Sequence, residues 1–214
     1  MNNNHLVQPF QALTPIPEYA QEVIAPPYDV LNVEEAKLLA ANKPHSFLRI
    51  SRAELELDDS QDPYSSAVYQ RAADNLSALR DKGILIQDSL PSYYIYRISN
   101  KSHMQTGIAV AASIDAYKAN KIKKHELTRT SKEKDRINQI STTLAQSGPV
   151  MLVNRHNPEL SSLLSNIAKE KSPRIEAEID GWNHQIWPVS EQPTIEKCSY
   201  LINSLDSLYI ADGH

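Results

Sequence analysis

Tyr93-Tyr94-Ile95-Tyr96-Arg97-Ile98, then Ser99-Asn100-Lys101-Ser102, then the run from Gln105 to Ile114, is the stretch on which the fold class turns. The first run is dense in aromatic and β-branched residues, which suit a pleated, half-buried surface. The Ser-Asn-Lys-Ser segment is turn chemistry, and a second strand follows it. The small alanines of that second strand suggest close packing against a neighbour.

Working outward, Ile84-Leu85-Ile86 is a further strand. Before it lies a helix predicted to begin at Asp62-Pro63, an N-cap followed by proline at the first helical position. Ala67, Val68, Ala72, Leu76 and Leu79 recur on one face, and Gly83 stands where a C-cap belongs. Asn32 reads as an N-cap with Glu34 and Glu35 in the first turn of a short helix running to Ala41. Residues 7–29 hold five prolines and are expected to be extended and irregular.

On the C-terminal side a helix is predicted from Ser131 to Ser147, ending at Gly148-Pro149. A buried strand is expected at Val150–Val153, a helix at Pro158–Lys169, and two strands over Ile175–Val189 that turn at Asp180-Gly181. A helix over Pro193–Leu205 leads to the strand Leu208–Ile210 and the turn Ala211-Asp212-Gly213-His214. Strands and helices without strict alternation imply an α+β or mixed α/β fold, a mixed sheet flanked by helices. The expected division is an N-terminal α+β part over 1–105, with its proline-rich wrap, and a phosphate- or nucleotide-binding part over 106–214. The two can equally form one continuous domain.

Composition narrows the function classes. The chain has 214 residues, 41% hydrophobic and 22% charged, which is ordinary for a globular protein. The net charge of −4 disfavours a nucleic-acid partner. A single cysteine excludes an internal disulfide and a thiolate zinc site. There is no secretion signal and no membrane-length apolar run, so a cytoplasmic location is expected. Neither GxGxxG nor GxxxxGK[ST] occurs, and a nucleotide site here must use other chemistry.

Three motifs can carry such chemistry. In His125-Glu126-Leu127-Thr128-Arg129, residue 129 is Arg, so the second ligand of a zinc HExxH is missing. Adjacent His125 and Glu126 suit proton transfer. Arg129 and Arg136 carry planar forks for phosphate oxygens, Lys132 adds charge, and Thr128 adds a hydroxyl. A helix starting near Ser131 would supply free N–H groups for an anion. A solvated, charged helix start accounts for the same residues equally well. In Asp212-Gly213-His214, the aspartate suits Mg²⁺, Gly213 permits close backbone approach to phosphate, and His214 suits phosphate or proton transfer. A plain Asp-Gly turn is the alternative. In Ala25-Pro26-Pro27-Tyr28-Asp29 the prolines either aim Tyr28 and Asp29 at a pocket or simply make a rigid turn.

In chain order, Gln8-Pro9-Phe10, Ala25-Pro26-Pro27-Tyr28-Asp29-Val30, Ser46-Phe47-Leu48-Arg49, Asp62-Pro63-Tyr64, Gln105-Thr106-Gly107-Ile108, His125-Glu126-x-Thr128-Arg129, Lys132-x-x-Asp135-Arg136, Gly148-Pro149-Val150 and Tyr209 to His214 resemble the family called domain of unknown function 1015. Members of that family continue past the last motif as Asp-Gly-His-His-Arg, so the chain is read as its N-terminal portion, truncated within that motif. The motif in turn resembles the phosphate box of ParB/sulfiredoxin-like proteins, among them a free serine kinase. That resemblance implies a ParB/sulfiredoxin-like element toward the C-terminus, with Glu126 as base, Asp212 assisting Mg²⁺ or substrate and His214 on phosphate. The expected activity is phosphoryl transfer between ATP or ADP and a small hydroxylated metabolite such as serine, or the related phosphoserine phosphatase reaction. The alternative is a non-catalytic, nucleotide-binding, ParB-like regulatory module.

Overall fold

The structure is a computed structural model, and it describes residues 5–58, 60–125 and 127–213. The chain begins with β1 (Val7–Gln8), β2 (Leu13–Pro15), α1 (Ala20–Val23), α2 (Val33–Ala40), α3 (Leu48–Ser51), α4 (Ser66–Asp81) and β3 (Leu85–Gln87). Next come β4 (Tyr93–Ser99), β5 (Met104–Ala109), β6 (Ala111–Ala112), α5 (Ile114–Lys118), β7 (Ile122–Lys123) and α6 (Thr130–Thr143). The rest is β8 (Met151–Val153), α7 (Pro158–Glu170), β9 (Ile175–Ile179), β10 (Trp182–Val189), α8 (Gln192–Asn203) and β11 (Leu208–Asp212). The architecture is mixed α+β, as the pattern of elements implies. These elements gather into two compact units. One comprises Met1–Thr14, Gln87–Leu127 and Val150–His214, and the other Pro15–Ile86 and Thr128–Pro149.

The first unit is built on a four-stranded antiparallel sheet in the order β5-β4-β10-β9. A three-stranded sheet, β7-β11-β8, has β7 parallel and β8 antiparallel to the central β11. Alternation along β4 sends Tyr93 and Ile95 into the core, where they join Trp187, Val189, Leu164, Cys198, Leu201, Leu208 and Ile210. The Trp187 indole N–H donates to the Lys171 carbonyl, and the Tyr93 hydroxyl meets Ser199 Oγ at 2.8 Å. Asn203, the last residue of α8, accepts from the backbone N–H of Leu6 and Val7 and so ties down β1.

A polar clamp holds the next part of the N-terminal segment. Arg174 grips both oxygens of Asp88, Nη1 to Oδ1 at 2.8 Å and Nη2 to Oδ2 at 3.0 Å, and Nη2 also reaches Thr14 Oγ1 at 3.2 Å. The Tyr94 hydroxyl donates to Asp88 Oδ2 at 2.6 Å and accepts from Ala12 N–H at 2.9 Å. Burial draws the Asp88 carboxyl upward, but the Arg174 hydrogen bonds, the Tyr94 hydroxyl and the Arg174 charge outweigh it and hold the group below the usual carboxylate range.

The second unit is helical. Asn32 and Glu35 form a reciprocal capping box at the start of α2. Arg49 closes its far end by donating to the Ala40 and Lys43 carbonyls while pairing with Glu56 at 2.6 Å. The Arg of the Ser46–Arg49 motif is therefore a structural clamp. Val68 and Ala72 of α4 pack on Ala53 and Leu57. Gly83, at φ +68°, ends α4 with Gly83 N–H on the Arg80 carbonyl and Ile84 N–H on the Leu79 carbonyl, a Schellman closure.

Several boundaries differ from the sequence reading. Asp62 does not cap α4. Its Oδ1 accepts from Tyr64 N–H within a turn, and the helix begins at Ser66. The strand predicted over Gln105–Ile114 is broken at Val110 into β5 and β6 and ends at Ala112, where the Ser113 hydroxyl oxygen caps α5 through Ala116 N–H. Helix α6 ends at Thr143, short of Gly148. Thr142 and Thr143 turn their hydroxyls back onto the Asn138 and Gln139 carbonyls, and Leu144 goes left-handed at φ +53°. The strand expected to be buried at 150–153 is an edge strand, with Met151 44% and Val153 40% exposed. Residues 17–23, expected to be irregular, form a 3₁₀ turn running into α1. No helix among the described residues is long and apolar enough to cross a membrane.

Candidate functional site

In the first unit the candidate site is a strand end. Strands β7 and β11 are parallel neighbours, with Ile122 opposite Leu208 and Lys123 opposite Tyr209. Two residues beyond Lys123 stands His125, and three beyond Tyr209 stands Asp212. The two segments therefore leave the sheet from the same edge, the carboxyl end of a parallel pair, where open α/β sheets collect ligands. Antiparallel β8 enters the sheet at that edge, with Met151 opposite Asp212. A register irregularity between Ile210 and Asp212 leaves Ala211 extra, a bulge of the kind that re-aims a side chain beside a site.

Asp212 Oδ1 accepts from Gly213 N–H at 2.8 Å, and Gly213 takes φ +73°. Asp212 is the last residue of β11, and Oδ2 meets no partner among the described residues. Asp212, Gly213 and His125 are all exposed. The lysines before His125 are pinned on aromatic faces: Lys123 Nζ lies 5.3 Å from the Tyr209 ring and Lys124 Nζ 5.0 Å from the Tyr117 ring. Among the described residues no group of three or more His, Cys, Asp or Glu is gathered to hold a metal. One carboxylate still suits Mg²⁺, which is commonly held by one or two carboxylates together with substrate phosphates and water. Glu126 and His214 lie outside the described residues.

Thr128, Arg129, Lys132 and Arg136 belong to the second unit. Arg129 is the N-cap of α6 and makes no side-chain cap bond; it is exposed, as is Thr128, whose hydroxyl donates to Glu133 at 3.3 Å. Lys132 and Arg136, one helical turn apart, converge on Tyr28. The Arg136 guanidinium carbon sits 4.1 Å and Lys132 Nζ 5.5 Å from its ring centroid. The Pro-Pro-Tyr-Asp motif and the Lys-x-x-Asp-Arg motif thus meet in space. Asp29, beside Tyr28, is exposed.

The support beneath this cluster is polar. Arg136 Nε and Nη2 both donate to Asp135 Oδ2, at 3.1 and 2.7 Å, while Tyr69 donates to Oδ1 at 2.9 Å. Asp135 is 7% and Gln139 4% exposed, whereas Ile137 on the same helix is 55% exposed. A merely solvated charge run would not bury its Asp and Gln while exposing its Ile. Burial, and then the carboxylate it donates to, push the Tyr69 hydroxyl above its ordinary range. Gln139 Nε2 donates to the Ile50 carbonyl at 3.0 Å. Arg52 Nη1 fixes the other side of the loop by donating to the Tyr28 and Leu31 carbonyls at 3.0 and 2.8 Å.

Sequence reasoning singled out neither Arg52 nor Tyr69. The one available signal for Tyr69 was a tyrosine on the apolar stripe of α4, and Arg52 had none. The bulge at Ala211 was also invisible in the sequence.

A family model described as "Protein of unknown function (DUF1015)" matches residues 7–214. Neither the curated proteins nor the solved structures give a match. That match covers the motifs from Gln8 to His214 in a single span, and the chain belongs to the DUF1015 family.

Proposed function

We propose that this chain recognises a phosphorylated small molecule, a nucleotide foremost, and that its reaction is phosphoryl transfer to a small hydroxylated metabolite such as free serine, or the phosphatase variant of that chemistry. The observation that carries this reading is the parallel pairing of β7 with β11, from which His125 and Asp212-Gly213 leave one strand edge together. Phosphoryl transfer asks a protein for positioning and positive charge more than for covalent chemistry. Asp212 would share a Mg²⁺ with the phosphates of ATP or ADP, and Gly213 admits a phosphate close to the backbone. The adjacent His125 and Glu126 have the chemistry to take the proton of a substrate hydroxyl.

The Tyr28–Lys132–Arg136 cluster has anion-recognition chemistry of its own. Among the described residues only Asp135 bonds the Arg136 fork, at Nε and Nη2, and the remaining N–H groups suit a phosphate. The likeness of Asp212-Gly213-His214 to the ParB/sulfiredoxin-like phosphate box adds to the same reading.

The test is titration calorimetry with Mg-ATP and Mg-ADP, paired with detection of phosphoserine on adding serine. Binding of inorganic phosphate weakened about tenfold by Arg136→Ala, the worth of a charge-assisted hydrogen bond, is expected. Turnover lost in Asp212→Asn is expected as well. Binding without turnover would leave the regulatory alternative in place of the enzyme. No binding of either nucleotide, or of inorganic phosphate, would overturn the proposal.

A further inference from the structure

Strand β5, Met104-Gln105-Thr106-Gly107-Ile108-Ala109, is an outer strand of the four-stranded sheet, in unbroken register with β4. Natural sheets guard such edges with charge, proline or bulges. The opposite edge, β9, carries Glu176 and Glu178. Strand β5 carries no charge, no proline and no bulge along its six residues.

Gly107 sharpens the point. Its φ lies outside the left-handed region, and a Cβ there would meet nothing within 4 Å. Neither backbone conformation nor packing among the described residues calls for glycine, which weakens a strand interior. A glycine in a strand without bulge or bend suits the close approach of a ligand or another backbone.

The hairpin sets which groups face outward. Asn100 N–H donates to the His103 carbonyl at 2.8 Å, and from that pair hydrogen-bonded and non-hydrogen-bonded pairs alternate. Gln105, Gly107 and Ala109 therefore bond β4. Met104, Thr106 and Ile108 turn their N–H and C=O groups to the free side, and no backbone bond among the described residues takes them up.

We infer that β5 pairs antiparallel with β5 of a second copy of this chain, about a two-fold axis at Thr106. Outward parity allows this register, and the side chains fit it. Thr106 opposes Thr106, a favourable cross-strand pair. Met104, 64% exposed in one copy, opposes Ile108 of the other. Gln105 opposes Gly107, whose missing side chain makes room for it. The six residues of β5 bring no charge of their own to the pairing, and Arg97 Nε is held on Thr106 Oγ1 at 3.0 Å in each copy. The motif Gln105-Thr106-Gly107-Ile108 is thereby read as a self-complementary edge.

Edge pairing buries a small interface, and those under about 1,200 Å² are weak, so sedimentation equilibrium should span about 10 μM to about 1 mM chain. A concentration-dependent dimer is expected. Thr106→Pro removes an N–H that β4 does not use, and should weaken the dimer at least about tenfold with an unchanged far-ultraviolet spectrum. Independently, Thr106→Cys should cross-link to itself under mild oxidation, since facing Cα atoms lie within disulfide reach, and Met104→Cys should not, because it faces Ile108. A monomer throughout the range overturns the inference. So does a dimer that cross-links at 104 as readily as at 106.

Discussion

Replacing Arg174 with Met tests the clamp on the N-terminal segment. The substitution keeps most of the side-chain length and removes the cation, leaving the Tyr94 hydroxyl to hold the Asp88 carboxylate among the described residues. Breaking a fully buried ion pair costs about 3–5 kcal/mol. Here the side chains of Asp88 and Arg174 are 17% and 32% exposed, so solvent screens part of that. The expected loss is about 2 kcal/mol, roughly half of the buried figure. With a urea slope of about 2 kcal/mol per molar, the midpoint should fall by about 1 M. The assay has a built-in reporter, because Trp182 and Trp187 both lie in the first unit and Trp187 is buried in its core. Fluorescence therefore follows that unit alone. A double-mutant cycle with Asp88→Asn isolates the pair and should give a coupling of at least about 1 kcal/mol. A midpoint unchanged within error, or additive single losses, would refute the assignment of Arg174 and Asp88 to one clamp.

The same carboxylate sets an acid limb. Because the folded Asp88 is held below its ordinary range, its contribution is fully present above about pH 4 and is lost as pH falls through the folded value. Asp88→Asn should flatten that part of the stability profile, and an acid titration followed by tryptophan fluorescence checks it. Gly83→Ala should cost about 1 kcal/mol, a purely conformational penalty since a Cβ there meets no atom within 4 Å, read as faster amide exchange in α4. Burial pushes the Cys198 thiol up to about 11, so a disulfide reagent at pH 8 should modify the native chain at least about 100-fold more slowly than the urea-unfolded chain. Comparable rates would remove Cys198 from the core.

Much of the fold was legible because its signals are local. The Tyr93–Ile98 strand and its Asn100 turn, the Asn32 cap, the Gly83 stop and the Asp180-Gly181 turn all follow from chemistry within a few residues. What the sequence did not show depends on distant partners. Val150–Val153 is apolar enough for a buried strand, yet its place at the edge of β7-β11-β8 is a property of the sheet. Two threonines near the end of α6 competed with its backbone more strongly than the Gly148-Pro149 signal suggested. In the candidate site, residue types pointed to His125, Asp212, Lys132 and Arg136. Their environments were hidden: that Tyr28 meets Arg136, and that Asp135 is buried on Tyr69, 66 residues away, requires segments far apart in the chain to be brought side by side.

The parallel neighbours at the strand edge also dictate an order of assembly. Among the described residues, strands β7 and β8 are not hydrogen-bonded to each other; each joins the sheet through β11, which begins at Leu208. Neither short strand has a ladder partner in that sheet until the ribosome has delivered those late residues. Closing Ile122 onto Leu208 then spans a long loop, whose entropy must be met before the contact returns anything. The edge carrying His125 and Asp212 is thus the non-local part of its unit, and an interrupted nascent chain would hold the β4–β5 hairpin while β7 still lacks its partner.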